Sequence, residues 1–463
     1  MLFSSIAFLY FFFLVVLALW RISPPKFRNL ILLLASLFFY AFGQPTYVLL
    51  LLFSSVSNWL FSLVIENNRG TPRAKHALVS AIVLSLALLL FFKYTDFFLQ
   101  TINQIFGLAI PLTEIPLPIG ISFFTFQTMS YTIDVYRGDV HAQRNIITFS
   151  TFVCLFPQLI AGPVVRYSEI ETELVPHRNS LSDFSYGIRR FTIGLAKKVL
   201  IANALDELCT LFRGSGEASV LFLWIYAISF TLQIYFDFSG YSDMAIGLGR
   251  MFGFHFPENF NFPYISRSVT EFWRRWHMTL GGWFRDYVYI PLGGNRNPQR
   301  WKWFRNIAIV WLLTGLWHGA AWNFVLWGGM YGVLLMSERL WLKDFLARHR
   351  IFSHLYVLFF ATVGFVIFNA DSSAILLSDL SGLFGFAGLP LSSFETIYYL
   401  KSFAPLLLLA IIGATPLPKM LCTRFEHHPI MTVLEPLTLA LLLIVITASL
   451  VDGSFNPFLY FRF

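Results

Sequence analysis

The stretch RNIAIVWLLTGLWHGAAWNFVLWGGMYGVLLM, residues 305–336, decides the fold. Two apolar runs, RNIAIVWLL and VLWGGMYGVLLM, flank the segment TGLWHGAAWNF (314–324). About 20 apolar residues cross a bilayer, so the runs read as two spans, 304–320 and 321–338. His318 then stands deep in a hydrophobic segment. An ionisable residue there is costly and marks a functional site whose partner has to be found.

The rest of the chain has the same character. Its 463 residues are 57% hydrophobic and 13% charged, with mean hydropathy +0.65, where a soluble domain carries roughly 25% charged residues. Further candidate spans lie at 1–20, 29–43, 46–65, 77–92, 116–134, 188–206, 219–238, 351–369, 402–418 and 431–450. The fold class expected is an all-α polytopic membrane protein with about eleven or twelve transmembrane helices. MLFSSIAFLYFFFLVVLALW has no positive n-region and no small-residue cleavage site, so it reads as a retained span and not a signal peptide.

Alternate loops are basic: Arg21, Lys26 and Arg28; Arg69, Arg73 and Lys75; Arg137 and Arg144; Arg339, Lys343, Arg348 and Arg350. The loop from Asn369 to Thr396 holds Asp371, Asp379 and Glu395 but no Lys or Arg, which places it, and with it both termini, outside by the positive-inside rule. The formal charge of +8 therefore points to cytoplasmic loops and anionic headgroups rather than to nucleic acid. Cys154, Cys209 and Cys422 show no disulfide or zinc-ligand spacing, so no structural metal is expected. No internal repeat or second domain is visible, and 1–463 reads as one membrane domain. Its parts are peripheral helices (1–110), a core (about 116–340), further helices (351–450) and a tail (451–463).

Two stretches fit no span. Residues 147–163, ITFSTFVCLFPQLIAGP, are broken by Pro157, Gly162 and Pro163 and read as a re-entrant or interfacial element. Between Arg267 and Arg305 stand eight basic residues (Arg267, Arg274, Arg275, Arg285, Arg296, Arg300, Lys302 and Arg305) against Glu271 and Asp286, interleaved with Trp273, Trp276, Trp283, Trp301 and Trp303. That composition suits a membrane–water interface. It also suits a clamp for a phosphorylated ligand, because guanidinium groups bind phosphate bidentately and stack on rings. In TEFWRRWHMTLGGWFRDY, Thr270 is placed to N-cap a short helix that Gly281-Gly282 ends, and PLGGNR makes a second glycine turn.

In YFDFSGYSDMAIGLG (235–249), Gly240 reads as the glycine ending one helix and Ser242 as the N-cap of the next. Asp237 there reads either as a capping residue or as a group facing a water- or ligand-filled tunnel. Ser122, Thr125 and Gln127 in PLPIGISFFTFQTMSY read as helix-packing residues. Around His318, Gly315, Gly319, Ala320 and Ala321 leave room for close approach, and Trp317 and Trp322 supply walls. A neutral imidazole in low dielectric suits a general base.

YFDFSGYSDMAIGLG, PENFNFPY, TEFWRRWH, RDYVYIPLGGNR and GLWHGAAWNF, in that order, resemble the membrane-bound O-acyltransferase (MBOAT) family, in its bacterial branch similar to alginate O-acetyltransferase subunits. PLPIGISFFTFQTMSYTIDVYRG and FPQLIAGPVVRY resemble that branch as well. The resemblance implies a helical bundle with re-entrant elements and a central tunnel in the bacterial cytoplasmic membrane. It implies His318 as the catalytic histidine and His277 as the second motif histidine, which orients the donor or stabilises the oxyanion. The implied donor is acetyl-CoA, with Arg274, Arg275, Arg285, Trp273, Asn323 and Asp237 as its candidate binding set. The implied acceptor is an extracytoplasmic polysaccharide, reached through a periplasmic or extracellular partner acyltransferase. The tail NPFLYFRF carries F-x-Y-x-x-F at Phe458, Tyr460 and Phe463, which resembles the C-terminal motif of the small peptide of the teichoic acid D-alanylation machinery. That makes Tyr460 a candidate acyl relay, with an aromatic interface anchor as the other reading. Peptidoglycan acetylation, D-alanyl transfer, and a transporter using His318 as proton relay are the competing functions; paired repeats, which transporters commonly show, are missing.

Overall fold

In hydrocarbon, a single segment satisfies its own N–H and C=O groups only as a helix. The described residues are helical, with no strand among them. The computed structural model describes residues 1–175, 180–216, 218–295, 299–425, 428–453 and 457–459. It divides into two compact units, Met1–Phe191 with Ser242–Glu258, and Thr192–Tyr241 with Asn259–Phe463. Both are discontinuous in sequence, so the partition follows packing and not chain order.

The first unit contains α1 (Phe13–Ile22), α2 (Arg28–Gly43), α3 (Val48–Asn67), α4 (Pro72–Phe106), α5 (Ile121–Arg137), α6 (Ile146–Cys154), α7 (Phe156–Leu159), α8 (Tyr167–Ile170) and the start of α9 (Leu181–Ala196). Gly107 and Gly138, at φ 63° and 86°, end α4 and α5 in the left-handed conformation that glycine adopts without a Cβ clash. Polar side chains tie α3, α4 and α5 together: Asn58 Nδ2 donates to Ser85 Oγ (3.3 Å), and Thr132 Oγ1 donates to Asn58 Oδ1 (3.1 Å). Ser122, Thr125 and Gln127 are buried within α5. The 147–163 stretch is a broken helix: α6 stops at Cys154, Leu155 leaves helical geometry, and α7 resumes one residue on. Phe149, Phe152, Phe156 and Leu159 are fully buried, which shelters the irregular backbone from lipid.

In the second unit α9 continues through a π-helical segment, Lys197–Ala202, into α10 (Asn203–Gly214). Then follow α11 (Val220–Met251), α12 (Val269–Arg275), α13 (Met278–Phe284), α14 (Arg300–His318), α15 (Trp322–Ser337), α16 (Lys343–Arg348), α17 (Arg350–Phe368), α18 (Ser373–Leu383), α19 (Phe394–Gly413), α20 (Leu417–Phe425) and α21 (Met431–Asp452). α11 belongs to this unit as far as Tyr241. Each of the twelve apolar segments picked from the sequence overlaps a helix, although 1–5 and 116–120 lie outside one. Seven helices among the described residues are both long and apolar enough to cross a membrane: α2, α3, α4, α11, α17, α19 and α21. The other five segments form helices that are shorter or carry more charge. Leu437, Leu441 and Ile444 of α21 are more than 60% exposed, a surface that suits lipid contact and would be an aggregation liability in water.

α11 runs unbroken through Gly240 and Ser242, so neither residue caps a helix as expected. Gly240 serves packing instead, since a Cβ there would lie 2.8 Å from the Gly194 carbonyl oxygen and 3.2 Å from Lys198 N. Its absence lets α11 close onto the π-helical segment.

Candidate active site

His318 is the last residue of α14, and three residues, Gly319 to Ala321, turn the chain into α15. It is 5% exposed and ringed by edge-on aromatics, with Trp317 and Trp327 at 5.0 Å and Phe368 at 5.3 Å. The room expected beside it is filled. A Cβ on Gly315 would lie 2.3 Å from the Phe324 carbonyl oxygen, and one on Gly319 2.0 Å from the Phe324 ring. These glycines let α14 and α15 touch and leave no ligand space on that face.

His277 sits where α12 ends and α13 begins, outside the seven spans, at φ 46° and ψ 52°. A non-glycine residue in the left-handed region costs of order 1–3 kcal/mol and persists only where its surroundings over-determine it. Here the extended Asn259–Asn261 segment does so: Asn261 N donates to Arg275 O, and Met278 N donates to Asn259 O, both at 2.9 Å. The helix therefore breaks at Trp276–His277, not at Gly281-Gly282, which lie inside α13. Its N-cap is Ser268, whose Oγ accepts from Glu271 N, and not Thr270. Thr270 donates its N–H and hydroxyl to Glu338 Oε2 at 2.9 and 2.6 Å, while Val269 N donates to Glu338 Oε1.

The tautomer of His277 follows from its neighbours. Asn259 Oδ1 lies 3.1 Å from His277 Nδ1, 2.9 Å from Thr279 Oγ1 and 3.3 Å from Thr279 N. A backbone N–H can only donate, so this atom is the amide oxygen, and His277 Nδ1 must carry a proton to donate to it. Nε2 of the neutral ring is left as a lone pair, buried and without a partner. Burial pushes the imidazole down to about 3, so it stays neutral. In that state Nε2 accepts and does not donate, which argues against its expected role as an oxyanion donor. It suits accepting a hydrogen bond from a donor group. The two histidines share the same unit: His277 lies 6.0 Å from the Trp317 ring, and Trp317 packs against His318.

Most of the other candidate donor-binding residues already have partners within the protein. Trp273 packs edge-on with Trp311 (4.9 Å), Trp327 (5.3 Å) and Tyr331 (4.9 Å), which ties α12 to α14 and α15. Arg275 is engaged by Glu271 Oε1 (3.0 Å) and Asn261 O (3.1 Å). Arg285 pairs with Asp286 at 2.7 Å, and that hydrogen bond raises its pKa. Arg274 is exposed and, alone of the three, has no ion-pair partner among the described residues. Asn323 Nδ2 donates to Phe368 O at 2.9 Å, so its amide closes the end of α17. Asp237 is buried and paired with Lys198 Nζ at 2.5 Å; it is neither a cap nor exposed to open space. Tyr460 lies outside the described residues.

A cavity of about 530 Å³ occupies the second unit, lined by Asp206, Arg213, Gln233, Asn369 and Asp371 together with Tyr226, Phe230, Phe324, Phe368 and Leu459. Phe368 is shared: one side faces the cavity and the ring packs on His318. Arg213 is held by Asp379 at 2.6 Å and by Tyr226 OH at 3.0 Å. Sequence reasoning missed Asn259, Lys198 and Glu338. Asn259 was visible only as a polar residue in the aromatic run NFNFPY. Lys198 lies inside the candidate span 188–206, where its charge went unremarked.

Two buried histidines thus flank Trp317 within one unit of a helical protein whose long apolar helices are of membrane-spanning length and composition. The sequence profile of the MBOAT, membrane-bound O-acyltransferase family matches residues 120–378, and the chain belongs to that family. It is 38% identical to the probable alginate O-acetylase AlgI of Pseudomonas putida over the whole of both chains. It is 43% identical to the protein of the same name in Pseudomonas aeruginosa, over 85% of this chain and 76% of the relative. It is 35% identical to the peptidoglycan O-acetyltransferase of Helicobacter pylori, over 84% and 79%. The protein is thus a multi-pass membrane O-acyltransferase.

Proposed function

We propose that this protein is the membrane subunit of a polysaccharide O-acetylation system in the bacterial cytoplasmic membrane. It takes acetyl from acetyl-CoA on the cytoplasmic side and passes it to an acceptor on the outer side, from which a periplasmic or extracellular partner acyltransferase modifies an alginate-like polysaccharide. The observation that carries this reading is the pairing of His277 and His318 across Trp317, with Phe368 linking His318 to the cavity. The direction rests on the acidic 369–396 loop, which borders that cavity and which the positive-inside rule places outside together with both termini.

In the reaction, His318 takes the proton of the acceptor hydroxyl as its oxygen attacks the thioester carbonyl, and the thiolate of CoA leaves to be protonated. A positioned base contributes about 10²–10⁴-fold in rate. His277, neutral and with Nε2 bare, accepts a hydrogen bond that orients donor or acceptor. Arg274, exposed, is available to meet the CoA phosphates; Arg275 and Arg285 are engaged by Glu271 and Asp286. The acceptor hydroxyl is that of Tyr460, which then relays acetyl to the partner. The relationship to a peptidoglycan O-acetyltransferase supports peptidoglycan as a second acceptor class by the same chemistry.

The test is release of CoA from acetyl-CoA by the purified protein. A burst of about one CoA per chain as Tyr460 is acylated, followed by slower turnover as water takes the acetyl group, is expected. No cleavage, together with movement of acetyl-CoA or protons across a vesicle wall, would replace the enzyme reading with a transporter.

A further inference from the structure

The π-helical segment that follows α9 and the middle of α11 bury one ion pair, Lys198 with Asp237, at 5% and 2% side-chain exposure. A buried pair separated from its hydrogen bonds is a poor source of stability, so its other contacts matter. Those contacts are to the C-terminal tail. Asp237 Oδ2 accepts from the backbone N–H of Leu459 at 2.7 Å, and Lys198 Nζ donates to the Pro457 carbonyl at 3.4 Å. Between them the Phe458 ring is buried against Tyr241 (4.8 Å) and Phe238 (5.9 Å). Phe238 in turn packs edge-on against His277 at 4.8 Å. π-helical turns are frequent at functional sites, and here the turn aims Lys198 inward.

We infer that Lys198 and Asp237 form a docking clamp for the tail and act as positioning residues. The two charges grip main-chain atoms on either side of Phe458, and the aromatic slot of Phe238 and Tyr241 takes the ring between them. Charge-assisted bonds to a backbone N–H are short and strong, and they fix register without regard to the side chain at 459. Leu459 lies on the wall of the cavity, and Tyr460 follows it in the chain. The consequence for transfer rests on the proposed relay through Tyr460; the docking itself does not.

The test uses the full chain with Leu459→Cys, with Cys209 and Cys422 changed to Ala and the fully buried Cys154 kept as an internal control. Labelling by a charged maleimide reports access to the tail. The parent is expected to label slowly. The neutral double variant Lys198→Met/Asp237→Leu leaves no orphan charge, so it keeps the bundle folded, and its introduced tail thiol is expected to label at least tenfold faster while Cys154 stays protected. Lys198→Arg, which keeps the pair, is expected to remain protected. Unchanged labelling of the tail thiol in the double variant, or exposure of Cys154 alongside it, overturns the clamp. Polysaccharide acetylation measured in parallel separates the two ideas: an exposed tail thiol with acetylation intact leaves the clamp standing and removes the relay.

Discussion

Replacing Asn259 with Ala removes the one atom, Oδ1, on which His277 Nδ1 and both Thr279 donors converge at 3.1, 2.9 and 3.3 Å. The net value of a hydrogen bond is about 0.5–1.5 kcal/mol, so losing the Nδ1 bond relaxes the tautomer preference by about 2- to 13-fold. The fraction of ring presenting a bare Nε2 falls by at most that factor, and kcat for thioester cleavage is expected to drop with it, by no more than about 13-fold. Removing the imidazole with His277→Ala is expected to cost at least as much, because the hydrogen bond accepted at Nε2 is lost outright. Asn259→Asp supplies the test of mechanism, because a carboxylate still accepts from Nδ1 and keeps the same tautomer. Its activity is expected to exceed that of the Ala variant. The assay is CoA release in detergent at matched folded protein. Full activity in Asn259→Ala, or equal losses in Ala and Asp, would refute the tautomer argument.

Two other outcomes follow from the same geometry. Gly315→Ala places a methyl 2.3 Å from the Phe324 carbonyl; forcing α14 from α15 is expected to cost about 1–3 kcal/mol, read as a lower melting temperature in detergent, and an unchanged melt contradicts that contact. His277 is held at about 3 against an ordinary 6.5, so the unfolded chain binds a proton that the folded chain does not, and stability falls as pH drops below that ordinary value. The slope is about 1.4 kcal/mol per pH unit from this one group until the folded value is reached, with no effect above neutrality. Melts at pH 7 and 5 are expected to separate more for the native chain than for His277→Gln, and equal separations would rule the contribution out.

The helices were legible because membrane insertion imposes long apolar runs whatever the tertiary fold. The breaks were less so. Gly240 and Gly281-Gly282 look like helix ends locally, yet α11 and α13 run through them, and Gly240 is small because another backbone passes close by. The real break, at His277, is set by pairing with Asn259–Asn261, a contact 18 residues away that no local propensity announces. His318 stood out in the sequence because a histidine in an apolar segment is rare. Asp237 stood out as an acid in an aromatic run, but its pairing with Lys198 was hidden, because neither partner of a buried pair is identifiable until the other is placed. Charge count alone cannot tell an arginine tied to Glu271 or Asp286 from one such as Arg274 that has no ion-pair partner among the described residues.

The most direct measurement is the O-acetyl content of the polysaccharide in cells carrying His318→Ala at native membrane level. If His318 is the base, acetylation is lost and CoA release by the purified variant falls by about 10²-fold or more. Full acetylation with normal protein level would mean that the transfer chemistry lies elsewhere in the chain.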